Sequence, residues 1–183
     1  SERDIEWEKV DIFLGDERCV DPNSELSNSL MLKNSLLTKY GSKAFFYEIF
    51  NDKKVDDNIS KNLLISKLNE KCNSNPPSFD LTLLGLGDDG HTASLFPFQK
   101  NNNADDFVIF NEGKGLKRIS LTPKVLSASS KIIFLVSGAS KQLALKRLLD
   151  KNESPERTPS KLIKSSDQIS IFCDEESSKE LSI

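Results

Sequence analysis

Apolar residues along this chain change their spacing several times, and each change marks an element. Val10 to Leu14 is a short apolar-rich run that halts at Gly15, the pattern of a strand entering a loop. From Ser27 to Leu37, the residues Leu30, Met31, Leu36 and Leu37 fall mostly on one helical face. Phe45 to Phe50 is aromatic and β-branched and reads as a strand. Val55 to Leu68 places Ile59, Leu63, Leu64 and Leu68 at helical spacing, and Pro76-Pro77 closes that segment. Phe79 to Leu84 is a nearly continuous apolar run stopping at Gly85, as expected for a strand buried on both faces. Phe107 to Phe110 and Arg118 to Leu121 are short strands. Pro123 suits a first helical turn. Lys131 to Val136 is another buried strand, halting at Ser137-Gly138. Ala139 to Leu149 is an amphipathic helix, Ile169 to Cys173 a last strand, and Asp174 to Leu181 a short helix.

Strands alternating with helices predict an α/β fold: a doubly wound, mostly parallel sheet with helices on both faces. In such folds ligands bind beyond the carboxyl ends of the strands. Three polar clusters fall at such ends: Asp16-Glu17-Arg18, Gly85 to His91, and Ser137 to Lys141. One alone reads as an ordinary loop. Three together point to a shared site. The polar stretches Gln99 to Asp106 and Lys151 to Pro159 read as surface loops of a single domain.

Composition narrows the classes. Of 183 residues, 37% are hydrophobic and 29% charged, which suits a globular domain. No apolar run reaches the ~20 residues of a membrane span, and no secretory pattern opens the chain. A net charge of −3 with no basic stripe speaks against a nucleic-acid partner. An anionic small molecule would then be held by a few local cations. The three cysteines, Cys19, Cys72 and Cys173, are odd in number and contain no C-x-x-C pair, so neither a zinc site nor a disulfide framework is expected, and a reducing cytosol fits.

His91 is the only histidine. A lone histidine is more often structural than catalytic, but this one follows a glycine-rich turn after a buried strand. Gly85, Gly87 and Gly90 allow close backbone approach to a ligand. Asp88 and Asp89 can orient an imidazole or turn the chain. The G-x-G here lacks the third glycine of a dinucleotide loop. Arg18 offers a planar fork for phosphate or carboxylate; its plainer reading is an ion pair with Asp16 or Glu17. Lys141 stands at the start of a helix, where a cation is slightly unfavourable unless an anion docks. Arg118 is a third cation of the same kind.

At these clusters the chain resembles a known family. The stretch Phe79-Asp80-Leu81-Thr82-Leu83-Leu84-Gly85-Leu86-Gly87-Asp88-Asp89-Gly90-His91-Thr92-Ala93-Ser94-Leu95-Phe96-Pro97 is similar to the signature of the 6-phosphogluconolactonases. Gly15 to Val20 followed by Ser27-Asn28, Arg118 to Thr122, and Ser137 to Lys141 resemble its other motifs. The resemblance implies a cytoplasmic enzyme of the pentose phosphate pathway that hydrolyses 6-phospho-D-glucono-1,5-lactone without metal or cofactor. It implies His91 as general base, Arg18, Arg118 and Lys141 around the substrate and its phosphate, and Asp16, Gly87, Asp89 and Gly90 lining the pocket. His91 would have to be neutral to act, so activity should fall in acid. No G-x-S-x-G elbow suggests a serine nucleophile. Members of that family usually begin with a further strand, helix and glycine-serine-rich loop. The resemblance therefore implies one lactonase domain over residues 1–183, truncated at its N-terminus and lacking that strand–helix unit.

Two other readings compete. A glucosamine-6-phosphate isomerase/deaminase shares the architecture, but Ser94-Leu95-Phe96-Pro97 stands where that family carries asparagine-glutamate-proline, and Arg18 stands where it carries tyrosine. A non-catalytic sugar-phosphate-binding remnant is the second.

Overall fold

The computed structural model describes residues 5–50, 56–101, 106–165 and 169–181. Its elements in chain order are β1 (Asp11–Phe13), β2 (Asp16–Arg18), α1 (Asn28–Leu32), β3 (Phe45–Tyr47), α2 (Asp57–Lys71), β4 (Thr82–Gly85), β5 (Val108–Gly113), β6 (Leu116–Leu121), α3 (Pro123–Ser127), β7 (Ile132–Val136), α4 (Gln142–Leu149), β8 (Ile169–Cys173) and α5 (Glu175–Ser178). The alternation read from the apolar spacing is therefore present, with parallel sheets as expected. β4, β7 and β8 form one parallel sheet, and β1 pairs with β3 in another.

A third sheet departs from the expected parallel arrangement. β2, β6 and β5 form an antiparallel unit with β6 in the middle. Asp16-Glu17-Arg18 thus lies within a strand rather than in a loop beyond one. Its all-charged sequence conceals this, since strand patterns are read from apolar alternation.

The parallel strands are buried on one face only. Thr82 and Leu84 of β4 and Ile132, Phe134 and Val136 of β7 point into the core. Burying a side chain such as Phe134 stabilises by about 1.5–3 kcal/mol. The alternate positions Leu81, Leu83, Leu135 and Phe172 are apolar yet exposed. Leu135 lies directly across from Phe172 in the β7–β8 register. The apolar run at 79–84 suggests burial on both sides, but no described element covers this second face.

The helices hold two further departures. The expected helix from Ser27 to Leu37 begins as α1 and passes into a wider π-helical segment at Lys33–Leu37. The run Ala139 to Leu149 opens with a 3-10 turn at Ala139–Lys141 before α4. In α2, Leu64 and Leu68 are buried while Ile59 and Leu63 remain exposed; Val55, part of that expected helix, lies outside the described residues.

The polar stretches are not plain surface loops either. Asn101, Glu153, Thr158 and Pro159 are buried, while residues 102–105 lie outside the described residues. Arg157 holds the Glu153 carboxylate by two hydrogen bonds and pulls its pKa down to about 2. Among the described residues, no helix is long and apolar enough to cross a membrane.

Candidate active site

The turn after β4 is built around His91. The Gly87 N–H donates to the His91 carbonyl over 2.7 Å, and the Gly90 N–H to the Gly87 carbonyl over 3.0 Å. Gly90 has φ +90°, a conformation glycine adopts without strain. Its carbonyl accepts from the Ser160 amide, and Thr158 packs directly against it. The buried segment around Thr158 is therefore the buttress of this turn. Gly87 has a different function: a Cβ there would sit 2.0 Å from His91 Nδ1, so only glycine leaves room for the imidazole.

The imidazole is half-buried and oriented by Asp89. The Asp89 carboxylate meets His91 Nδ1 at 2.5 Å and accepts from the His91 amide at 3.0 Å. Asp88 faces outward and pairs instead with Lys114 at 3.3 Å, whose hydrogen bond and charge hold its carboxyl below the usual range. Asp88, Asp89 and His91 bring their ligand-type atoms within 4.8 Å of one another, but Lys114 and the imidazole itself already engage the carboxylates.

The cations come together on the antiparallel sheet. β2 and β6 are registered so that Arg18 stands directly opposite Arg118. Like charges facing each other across strands are unfavourable. Burial lowers the pKa of Arg118, and the charge of Arg18 lowers it further. Asp16, two residues along β2, offers partial compensation: its Oδ2 lies 3.8 Å from Arg118 Nη1 and accepts a 2.5 Å hydrogen bond from Ser94 Oγ. Burial pushes the Asp16 carboxyl above its ordinary value, against the pull of Ser94, Arg118 and Arg18. Two guanidiniums thus stand beside two acids: Asp16, whose ionised form burial disfavours, and Glu17, whose carboxylate is engaged by backbone amides.

Glu17 has a purely structural part, which sequence reasoning missed. It is buried and accepts from the amides of Arg18, Asn28 and Ser29 and from the Ser27 hydroxyl. Its carboxylate caps the start of α1. Neither Asp16 nor Glu17 pairs with Arg18, whose Nη1 donates to the Leu26 carbonyl over 2.8 Å while its Nε is buried without a partner. The ion-pair reading of Arg18 is therefore corrected.

The third cluster contributes Lys141 alone. The Ser137 hydroxyl and Gly138 amide both donate to Asp174, which also caps α5 by accepting from Ser177 N–H. Lys141 ends the 3-10 turn in front of α4, has no ion pair among the described residues, and lies close enough to help hold Asp88 ionised. The Asp174 pKa is depressed by Ser137 and then Ser177, so the carboxylate form stabilises the fold. That contribution is full above the ordinary Asp value of about 4 and is lost as pH falls through the lower folded value. We expect the wild type to lose melting temperature in acid more steeply than Asp174→Asn; parallel Tm-against-pH curves would refute this.

One residue joins the two halves. Phe96 is buried, its ring 4.8 Å from the His91 ring and 5.4 Å from the Arg118 guanidinium carbon. Cys19, by contrast, is no nucleophile candidate, since burial, and next the charge of Asp57, push its thiol up to about 11.

A histidine–aspartate pair in the turn after a parallel strand, joined through Phe96 to an arginine of the antiparallel sheet, is an arrangement suited to an α/β enzyme. The chain belongs to the family of glucosamine-6-phosphate isomerases/6-phosphogluconolactonase, whose model matches residues 1–171. It is 34% identical to a 6-phosphogluconolactonase of Nostoc over 98% of this chain and 76% of the relative. It is 32% identical to a 6-phosphogluconolactonase of Synechocystis over 97% of this chain and 75% of that protein. Among solved structures it is similar to devB protein, with a TM-score of 0.84 and 27% identity over 99% of this chain and 78% of that one.

Proposed function

We propose that His91 activates the water with which this chain hydrolyses 6-phospho-D-glucono-1,5-lactone to 6-phosphogluconate. The lactonase activity rests on the family and its relatives; the observation that supports the base is the contact between His91 Nδ1 and Asp89. With Nδ1 keeping its proton and donating it in a hydrogen bond to Asp89, the lone pair lies on Nε2, where it can accept a proton from water. The hydroxide oxygen bonds to the lactone carbonyl carbon and the carbonyl electron pair moves to its oxygen. When the tetrahedral species collapses, the bond to the ring oxygen breaks and the imidazolium returns its proton there.

The same reading assigns the charges. Arg18, Arg118 and Lys141 receive the anionic end of the substrate, and Asp16 lines that pocket. The amides of Gly87 and Gly90 are engaged within the turn, so a cation is the better donor for the developing oxyanion. The partner is thus a small sugar-phosphate lactone, and the mechanism uses no cofactor. Three free thiols support a reducing, cytoplasmic setting.

The test is 6-phosphogluconate formation above the spontaneous rate, followed against lactone concentration. Removing one guanidinium, in Arg18→Ala or Arg118→Ala, should cost about 1.5–3 kcal/mol of binding and raise KM roughly 10- to 100-fold. A wild-type rate equal to spontaneous hydrolysis would overturn the activity; unchanged KM in both variants would overturn the anion site.

A further inference from the structure

Phe96 has no polar group to offer the reaction, yet it touches both of its halves. Its ring is tilted 38° against the His91 imidazole at 4.8 Å, and Arg118 sits over it at 5.4 Å. The space it occupies is reserved. A Cβ on Gly113 would lie 2.2 Å from the ring's Cε2 and Cζ, so β5 carries glycine where the ring passes. The same Gly113 offers its carbonyl to Arg118 Nε over 3.2 Å. Asparagine side chains hold the backbone that carries the ring: the Phe96 carbonyl accepts from Asn101 Nδ2, and Asn101 Oδ1 accepts from Asn111 Nδ2, which also reaches the Ser94 carbonyl.

A hydrogen bond from Nδ1 to Asp89 fixes one point of the imidazole and leaves it able to swing about that point. A rigid ring against its face removes the swing. A guanidinium over the same ring is likewise held to one plane. We propose that Phe96 is a positioning residue for the lactonase reaction, setting the spacing between the base His91 and the anion-binding Arg118 so that one substrate can reach both. This rests on the reading of His91 as the base. Removing an aromatic wedge lets base and cation drift independently, and a misplacement of about 1 Å can cost up to about 100-fold in rate.

The test is a double-mutant cycle with kcat and KM read separately and folding checked by Tm. Phe96→Leu should lower kcat about 10-fold or more, an order-of-magnitude figure for lost orientation, and raise KM severalfold. Gly113→Ala should do the same by pushing the ring aside without altering it, which keeps the test open if Phe96→Leu folds poorly. In a His91→Gln background Phe96→Leu should lower kcat no further while its KM effect remains. If His91→Gln alone leaves kcat intact, the base reading and this one both fail. If His91→Gln is damaging and Phe96→Leu still adds its full kcat loss, the positioning role fails alone.

Discussion

If His91 is the base we propose, replacing it by glutamine should lower kcat about 100- to 10,000-fold, the usual range for losing a general base, and leave KM nearly unchanged. Glutamine keeps the size and a donor for Asp89, so the turn survives; what disappears is the lone pair opposite that donor. Asp89→Asn should lose less with His91 intact. One Asp89 oxygen meets both Nδ1 and the His91 amide, so an asparagine oxygen in its place keeps the tautomer and removes only the charge that stabilises the imidazolium. Initial rates for both variants, corrected for spontaneous hydrolysis, decide the matter. A His91→Gln enzyme within a fewfold of wild type, with unchanged Tm, would remove the histidine mechanism.

The strands that carry this machinery are partly legible in the amino-acid sequence. The apolar runs at Thr82–Gly85 and Ile132–Val136 announce their strands, and the clusters behind them lie where parallel strands end. Local apolar pattern decides such elements, so local reading finds them. β2 escapes because its three residues are all charged: Glu17 is buried by capping α1, and Arg18 stands by register opposite Arg118. Both facts depend on partners far along the chain. The overestimated burial of Leu83 and Leu135 has a related cause, since an apolar run does not say what covers its second face.

Site assembly is less legible than site membership. His91, Asp89, Arg18 and Arg118 can all be named as chemistry-bearing residues, but nothing in their spacing reveals that Arg18 faces Arg118 or that Phe96 lies between base and cation. Phe96 is visible only as part of a signature stretch, because an aromatic residue in such a run reads as core. Gly113, which makes room for the ring, gives no sequence signal either: it lies beyond the strand read from Phe107 to Phe110 and closes β5 only in the structure.

Glycine spacing misleads in the opposite way. Gly85, Gly87 and Gly90 look equivalent in the sequence, and the structure separates them. Alanine at Gly85 meets nothing within 4 Å and needs no positive φ; Gly85→Ala should keep activity within about twofold and raise stability by up to about 1 kcal/mol through a less flexible unfolded chain. Alanine at Gly90 must adopt φ +90° against Thr158 and should lose stability by about 1–3 kcal/mol. Alanine at Gly87 places a methyl 2.0 Å from Nδ1, inside the space of the His91 ring. The half-buried imidazole can escape outward, so the fold should persist while the contact with Asp89 breaks. Gly87→Ala should therefore lose kcat by about as much as His91→Gln, again about 100- to 10,000-fold, with a Tm close to wild type. An active Gly87→Ala enzyme would mean that the imidazole works from a position other than the one Asp89 holds.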